Sequence, residues 1–244
     1  MKLLIQADDY GITPAVAQGI LYGISHGLIR NTGIFMNMPW SEECAEWIRP
    51  YLDRIALGID LNITTGVPVL AKEEIPALVR EDGRFYSSWE RRRLDEASPV
   101  HNHVEETEVI REFEAQTEAF IRVLGRKPDY IHAHAYTTKR MMDIQRSLAA
   151  KYRIPYSDDV YRALNQGMGI DEGVCPWYQR PATLENQMRS SLKRYLLDNR
   201  DEFLKRKSAM IIGHMGFVDQ NLFELSSYTL YRVTDLSAMT DPEV

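Results

Sequence analysis

Cysteine is nearly absent. The 244 residues contain only Cys44 and Cys175, far apart and in no ligand-like spacing. Neither a disulfide framework nor a cysteine-based zinc site is supported, and a reducing compartment suits the chain. No stretch approaches the ~18 consecutive apolar residues of a membrane span, and the opening MKLLIQADD has too short an apolar part for a secretory leader, so the expectation is a cytoplasmic protein without a membrane partner. Basic charge is not in excess either: 29 Lys and Arg stand against 35 Asp and Glu, a formal net charge of −6, which gives no electrostatic reason to expect nucleic acid. Internal repeats and low-complexity tracts are missing as well.

What is present is an ordinary globular composition, 44% hydrophobic and 26% charged, with length enough for a sizeable core. Residues 3–7 read as a buried strand, and Thr13-Pro14 opens a helix with Thr as cap and Pro at the first position. A strand at 31–36, a helix capped by Ser41 and a strand at 55–63 extend the order to βαβαβ. From about 65–104 no period is evident, and this stretch reads as a lid-like insertion facing the substrate. Beyond it follow a helix at 105–124, a strand at 129–134, a helix at about 139–152, a short strand near 154–156, an aromatic loop around Trp177, a helix at about 183–205, and the strand SAMIIGH. Strands alternating with helices predict a parallel sheet, and six to seven such units predict a closed or nearly closed, TIM-like (β/α) barrel in one domain spanning 1–244.

In such folds the functional groups gather at the carboxyl ends of the strands. Asp8 and Asp9 follow the first strand, Asp60 and Asn62 the third, His132 and His134 the fourth, and His214 ends SAMIIGH. Two adjacent carboxylates in a βα loop can be no more than acceptors of backbone amides. Beside a histidine pair spaced to share one face of a strand, they read instead as a site for a hydrolytic divalent ion, Mg²⁺ or Zn²⁺, with one carboxylate free to act as general base. His101 and His103 repeat the H-x-H spacing in a polar stretch and read as solvated, while His26 ends a helix and needs no function. Trp40, Trp89 and Trp177 are sugar-stacking or packing residues on equal grounds.

The motifs QADDYGITPAVAQGI, LGIDLNITTGVP, KPDYIHAHAYT and the tail from HMGF to TDPEV resemble, in order and over essentially the whole chain, those of the YdjC/ChbG-type carbohydrate deacetylases. The resemblance implies an irregular (β/α) barrel of about seven parallel strands, related to polysaccharide deacetylases. It also implies removal of the N-acetyl group from a small sugar such as a chitooligosaccharide or its phosphate. It makes Asp8 the general base, Asp9, Asp60 and His134 the ligands of one divalent ion, and His214 the acid. Trp40, Asn62, Tyr86, Trp177 and Arg232 become substrate contacts, with His132 an additional ligand or a residue behind the ligands. The family usually has His at position 60 and Asp at position 132, so this chain exchanges the two; Met215 also replaces a usual Pro. The resemblance further leads one to expect a helix and a last strand beyond Val244, so the barrel either closes differently or pairs with a second copy as a homodimer. Two rivals stand beside this reading: a glycoside hydrolase using a carboxyl pair, which would need no metal and which the histidine count argues against, and a sugar-binding homologue without catalysis.

Overall fold

The computed structural model describes residues 1–166 and 175–244. Five parallel strands form one sheet: β1 (Lys2–Tyr10), β2 (Asn31–Ile34), β3 (Ala56–Leu61), β4 (Ile131–Ala133) and β5 (Ser208–Gly213), in the spatial order β4-β3-β2-β1-β5. The expected parallel sheet is therefore present, but among the described residues it has five strands rather than about seven. The segment expected as a strand near 154–156 makes a single parallel bridge, Ile131 to Tyr156, before the chain turns into a helix. That helix, α6 (Ser157–Asn165), packs on both β4 and β5, so helix covers the gap where a closed barrel would place strands.

Local chemistry accounts for the other elements. In α1 (Pro14–His26) the Thr13 hydroxyl accepts the Val16 N–H and Pro14 occupies the first turn, while Val16, Ala17, Ile20 and Ile24 are buried. The short α2 (Ser41–Ile48) follows β2. The insertion, expected to lack a period, contains α3 (Ser88–Ala97), which a reciprocal cap between Ser87 and Glu90 starts. The 19-residue α4 (Glu106–Leu124) lays Phe113 and Phe120 into the core, packs on β3 and ends at Gly125 with φ 70°. After β4 comes α5 (Lys139–Tyr152). The helix expected at about 183–205 is three short ones, α7 (Leu184–Arg189), α8 (Leu192–Asp198) and α9 (Arg200–Leu204), because Ser191 restarts the chain as a cap and Asn199 interrupts it again. Beyond β5 lie α10 (Gln220–Leu225) and α11 (Leu230–Met239). Among the described residues, no helix is long and apolar enough to cross a membrane.

The insertion is anchored rather than loose. Arg91, fully buried, donates to the carbonyls of Ile63 and Leu78, and Ile75, Leu78 and Phe85 belong to the core. His103 is not solvated: its Nδ1 lies 2.7 Å from Asp95 Oδ1, and Asp95 also accepts the Tyr136 hydroxyl, which ties α3 to the chain just past β4.

Candidate active site

The carboxyl end of β1 is where the sheet register breaks. Ala7 pairs with Thr32 and Tyr10 with Ile34, so three steps on β1 face two on β2. Asp9 takes up the extra residue with a left-handed φ of 69°, a conformation costing roughly 1–2 kcal/mol for most side chains and least unfavourable for Asp and Asn. On a regular strand, adjacent side chains point to opposite faces. At this bulge both carboxylates join one buried network instead, which explains how neighbouring acids can end a core strand. The Asp9 N–H donates to Asp60 Oδ2 at 2.8 Å and helps hold the turn.

Asp8 is buried between two donors. Gln6 Nε2 reaches its Oδ1 at 2.8 Å, and His132 Nε2 lies 3.2 Å from its Oδ2. The other ring nitrogen of His132 is 2.5 Å from the Ser157 hydroxyl at the start of α6. Burial opposes protonation of His132, but Asp8, with Asp60 and Asp9 behind it, raises the imidazole to about 9, so it faces Asp8 as a cation.

Asp9 is the hub. His134 Nδ1 lies 2.8 Å from its Oδ1, Arg232 Nη2 donates to its Oδ2 at 2.6 Å, and His214 Nε2 stands 4.0 Å from Oδ2. Burial alone would raise its pKa, yet His134 and Arg232 hold the carboxyl well below the usual range. Asp60 is the converse case. It is fully buried, and burial pushes it up to about 7, with Asp8 and Asp9 adding to the rise against the pull of His132. Its carboxylate lies across Gly33 of β2, where an added Cβ would come within 1.6 Å of Oδ1; only glycine leaves that space. Asp60 and His132 face each other directly in the β3–β4 register, so the exchange noted in the sequence falls on one rung of the sheet and preserves one carboxylate and one imidazole there.

The opposite wall is built around His214. Tyr178 donates its hydroxyl to Asp235 Oδ2 at 2.5 Å, Trp177 Nε1 donates to Asp235 Oδ1 at 2.9 Å, and the His214 N–H lies 3.2 Å from both Asp235 Oδ2 and the Tyr178 oxygen. His214 Nδ1 is 3.3 Å from the same Tyr178 oxygen. Because the single phenolic hydrogen is committed to Asp235, Tyr178 can only accept from the ring. This network assigns the neutral tautomer with hydrogen on Nδ1, leaving the Nε2 lone pair toward Asp9. Burial pushes His214 down to about 4 and Asp235 up to about 7.

Among the expected substrate contacts, several have partners within the protein. Asn62 pins its own loop by accepting from the Thr64 and Thr65 N–H groups and donating to Asn37, and half-buried Trp40 donates to the Gly11 carbonyl. Trp177 is buried under Asp235, and Arg232 is fully buried on Asp9 with its Nη1 unpartnered. Tyr86 lies beside the Arg91 guanidinium, whose carbon is 5.7 Å from the ring centroid. Sequence reasoning missed Tyr178, Asp235, Ser157 and Thr65, whose hydroxyl is 3.3 Å from His134 Nε2. Asp235 had a signal, as the acid of RVTDL in the tail, whereas Tyr178 sits in a loop without period.

Two carboxylates and an imidazole from Asp9, Asp60 and His134 suit a divalent cation in type, and Asp60 Oδ1 is buried without a hydrogen-bond partner, the kind of oxygen a cation satisfies. Among the described residues no three His, Cys, Asp or Glu side chains are already disposed to share an ion. Asp9 and His134 are bonded to each other, so holding an ion requires that hydrogen bond to open.

Comparison with known proteins identifies the family. The family described as YdjC-like protein matches residues 2–244. A carbohydrate deacetylase of Enterococcus faecalis is 29% identical, covering 100% of this chain and 91% of that protein. One of Thermoanaerobacter pseudethanolicus is 25% identical over 99% of this chain and 92% of its own length. A crystal structure from Enterococcus faecalis V583, named as a candidate cellobiose-phosphate cleavage protein, superposes with a TM-score of 0.77 at 27% identity, covering 100% of this chain and 92% of that one.

Proposed function

The chain belongs to the YdjC-like family, and on that premise we propose that it hydrolyses the acetamide of a small N-acetylated sugar, using one divalent ion, Mg²⁺ or Zn²⁺. The observation that carries this reading is that segments distant in sequence deliver Asp8, Asp9, His132, His134 and His214 to one buried network at the carboxyl end of the sheet. Relatives named carbohydrate deacetylase support the substrate class.

Hydrolysis breaks the C–N bond of the amide and forms a C–O bond to the acetyl carbon, giving acetate and a free amine. Asp8 takes the proton of the attacking water, and Gln6 and His132 orient its carboxylate. His214 handles the leaving amine. Its neutral ring must first take a proton from solvent on Nε2, and Tyr178 with Asp235 then holds the imidazolium in place while Nε2 gives that proton to nitrogen; Asp8 afterwards returns the water's proton to solvent. Asp9, Asp60 and His134 would hold the ion, which supplies Lewis-acid polarisation of the acetyl group when bound. Arg232 fixes Asp9 from behind.

The test is product analysis on N-acetylated mono- and disaccharides, with metal content measured alongside. Acetate release that a chelator abolishes and a divalent ion restores is the expected result. New reducing ends without acetate would replace this reading with glycosidic cleavage. Turnover by metal-free protein would remove the ion from it.

A further inference from the structure

His134 follows directly on β4, a strand of only three residues, and its N–H donates to the Leu61 carbonyl of β3 at 3.2 Å. The chain then turns back sharply. Ala135 has a left-handed φ of 53°, and the Tyr136 N–H donates to the His134 carbonyl two residues earlier at 2.7 Å. A residue with a side chain is unfavourable in that region of backbone space, and the conformation persists where its surroundings hold it.

Helix α3 supplies that hold from outside the sheet. Arg92 Nη2 donates to the Ala135 carbonyl at 3.2 Å, and the Tyr136 hydroxyl donates to Asp95 Oδ2. Asp95 Oδ1 accepts the His103 N–H at 3.0 Å and lies 2.7 Å from His103 Nδ1. Arg91, one helical turn before Asp95 and so on the same face, places Nη1 3.4 Å from His103 Nε2. A guanidinium only donates, so His103 Nε2 accepts and the ring hydrogen sits on Nδ1, toward Asp95. Burial works against it, yet Tyr136 and His103 hold the Asp95 carboxyl below its usual range, as the charged acceptor that makes the stronger bonds. The same Arg91 donates to the Ile63 carbonyl at 2.8 and 2.9 Å, two residues before Thr65, whose hydroxyl is 3.3 Å from His134 Nε2. Helix α3 therefore holds the chain on both sides of one imidazole.

We propose that Asp95 is a positioning residue for His134, acting through Tyr136 and the turn at Ala135, with Arg91 and Arg92 steadying the two flanks. The insertion then serves the rim by fixing the direction of one of its imidazoles. The consequence for turnover rests on the deacetylase reading of the rim, whereas the positioning itself does not.

Imidazole NMR of the full chain, labelled with ¹⁵N-histidine and held at one pH, tests this. The chain has six histidines, and the loss of one set of signals in His134→Gln assigns His134. Tyr136→Phe removes a single hydroxyl, and Asp95→Asn keeps the side-chain shape while removing its charge. Both should split or broaden the His134 ring signals and leave those of His26 and His214 in place. In steady-state kinetics on the N-acetylglucosamine disaccharide, each should lower kcat about tenfold with KM changed by less than about twofold. The double variant should lose less than about twofold more than the worse single one, because both cut the same link. His134 signals unchanged in both variants would overturn the proposal. So would His26 and His214 signals that move as much as those of His134, which would mark a general loosening of the fold. Moved His134 signals in a protein whose wild type releases no acetate sustain the positioning and refute the reaction; unmoved signals with acetate released from the wild type refute the positioning and leave the reaction standing.

Discussion

Asp9 and Asp235 are both buried carboxyls at the same end of the sheet, and their surroundings differ in kind. Asp9 meets Arg232, His134 and, more distantly, His214, whereas Asp235 meets a phenol, an indole and a backbone amide. Burial pushes both upward. For Asp9 the charged partners override it and the group stays ionised; for Asp235 the neutral donors do not, and ionisation moves to about 7. The lesson is that the charge of the partners sets what a buried carboxyl can do. One half of the rim is an ionic hub suited to holding charge, and the other is a dipolar cradle that orients an imidazole.

The largest effect expected from this contrast is on stability. Arg232→Met removes the partner of a buried carboxylate and should cost about 3–5 kcal/mol, a fall in melting temperature on the order of 10 °C. Asp235→Asn retains part of a neutral hydrogen-bond network and should cost about 1–2 kcal/mol. Thermal unfolding of the two variants checks the difference, and equal losses would break the comparison.

A smaller effect, on turnover rather than folding, separates orientation from charge. Tyr178→Phe leaves Asp235 its bonds from Trp177 and the His214 N–H but removes the oxygen facing His214 Nδ1. Steady-state kinetics should show kcat reduced about 10- to 100-fold with KM changed by less than about twofold. A rise in KM with kcat intact would make Tyr178 a substrate contact instead.

The smallest effect is the pH dependence of the His132–Asp8 pair. His132 is raised in the folded chain to about 9, above its ordinary 6.5, so its contribution is full below pH 6.5 and is lost as pH rises through 9. Between those limits the melting temperature of the wild type should fall relative to His132→Gln by on the order of 5 °C. Parallel curves for the two proteins would show that Asp8 does not hold His132 charged.

How much of this was legible in the sequence follows the range of the interactions. Alternating apolar runs marked β1, β2, β3 and β5 and the Thr13-Pro14 helix start, because these signals lie within a few residues of one another. The strand ends, and so the rim residues, followed from them. Among the described residues the sheet has five strands rather than about seven, and one expected strand, at 154–156, is reduced to a single bridge because α6 begins directly after it. Helix α3 was hidden by its charged composition, although the Ser87 and Glu90 cap was there to read. Asp8 and Asp9 were visible as acids, but the bulge that places them in one network depends on pairing with β2. The Tyr178–Asp235 contact joins residues 57 apart, and nothing local announces it.

The most direct test of the account is acetate release from the N-acetylated disaccharide by wild type and Asp8→Asn, with folding of both verified by circular dichroism. The account predicts steady acetate from the wild type and a rate about 10²–10⁴-fold lower from the folded variant, because the water's proton then has no acceptor. An Asp8→Asn protein that releases acetate at the wild-type rate would contradict it.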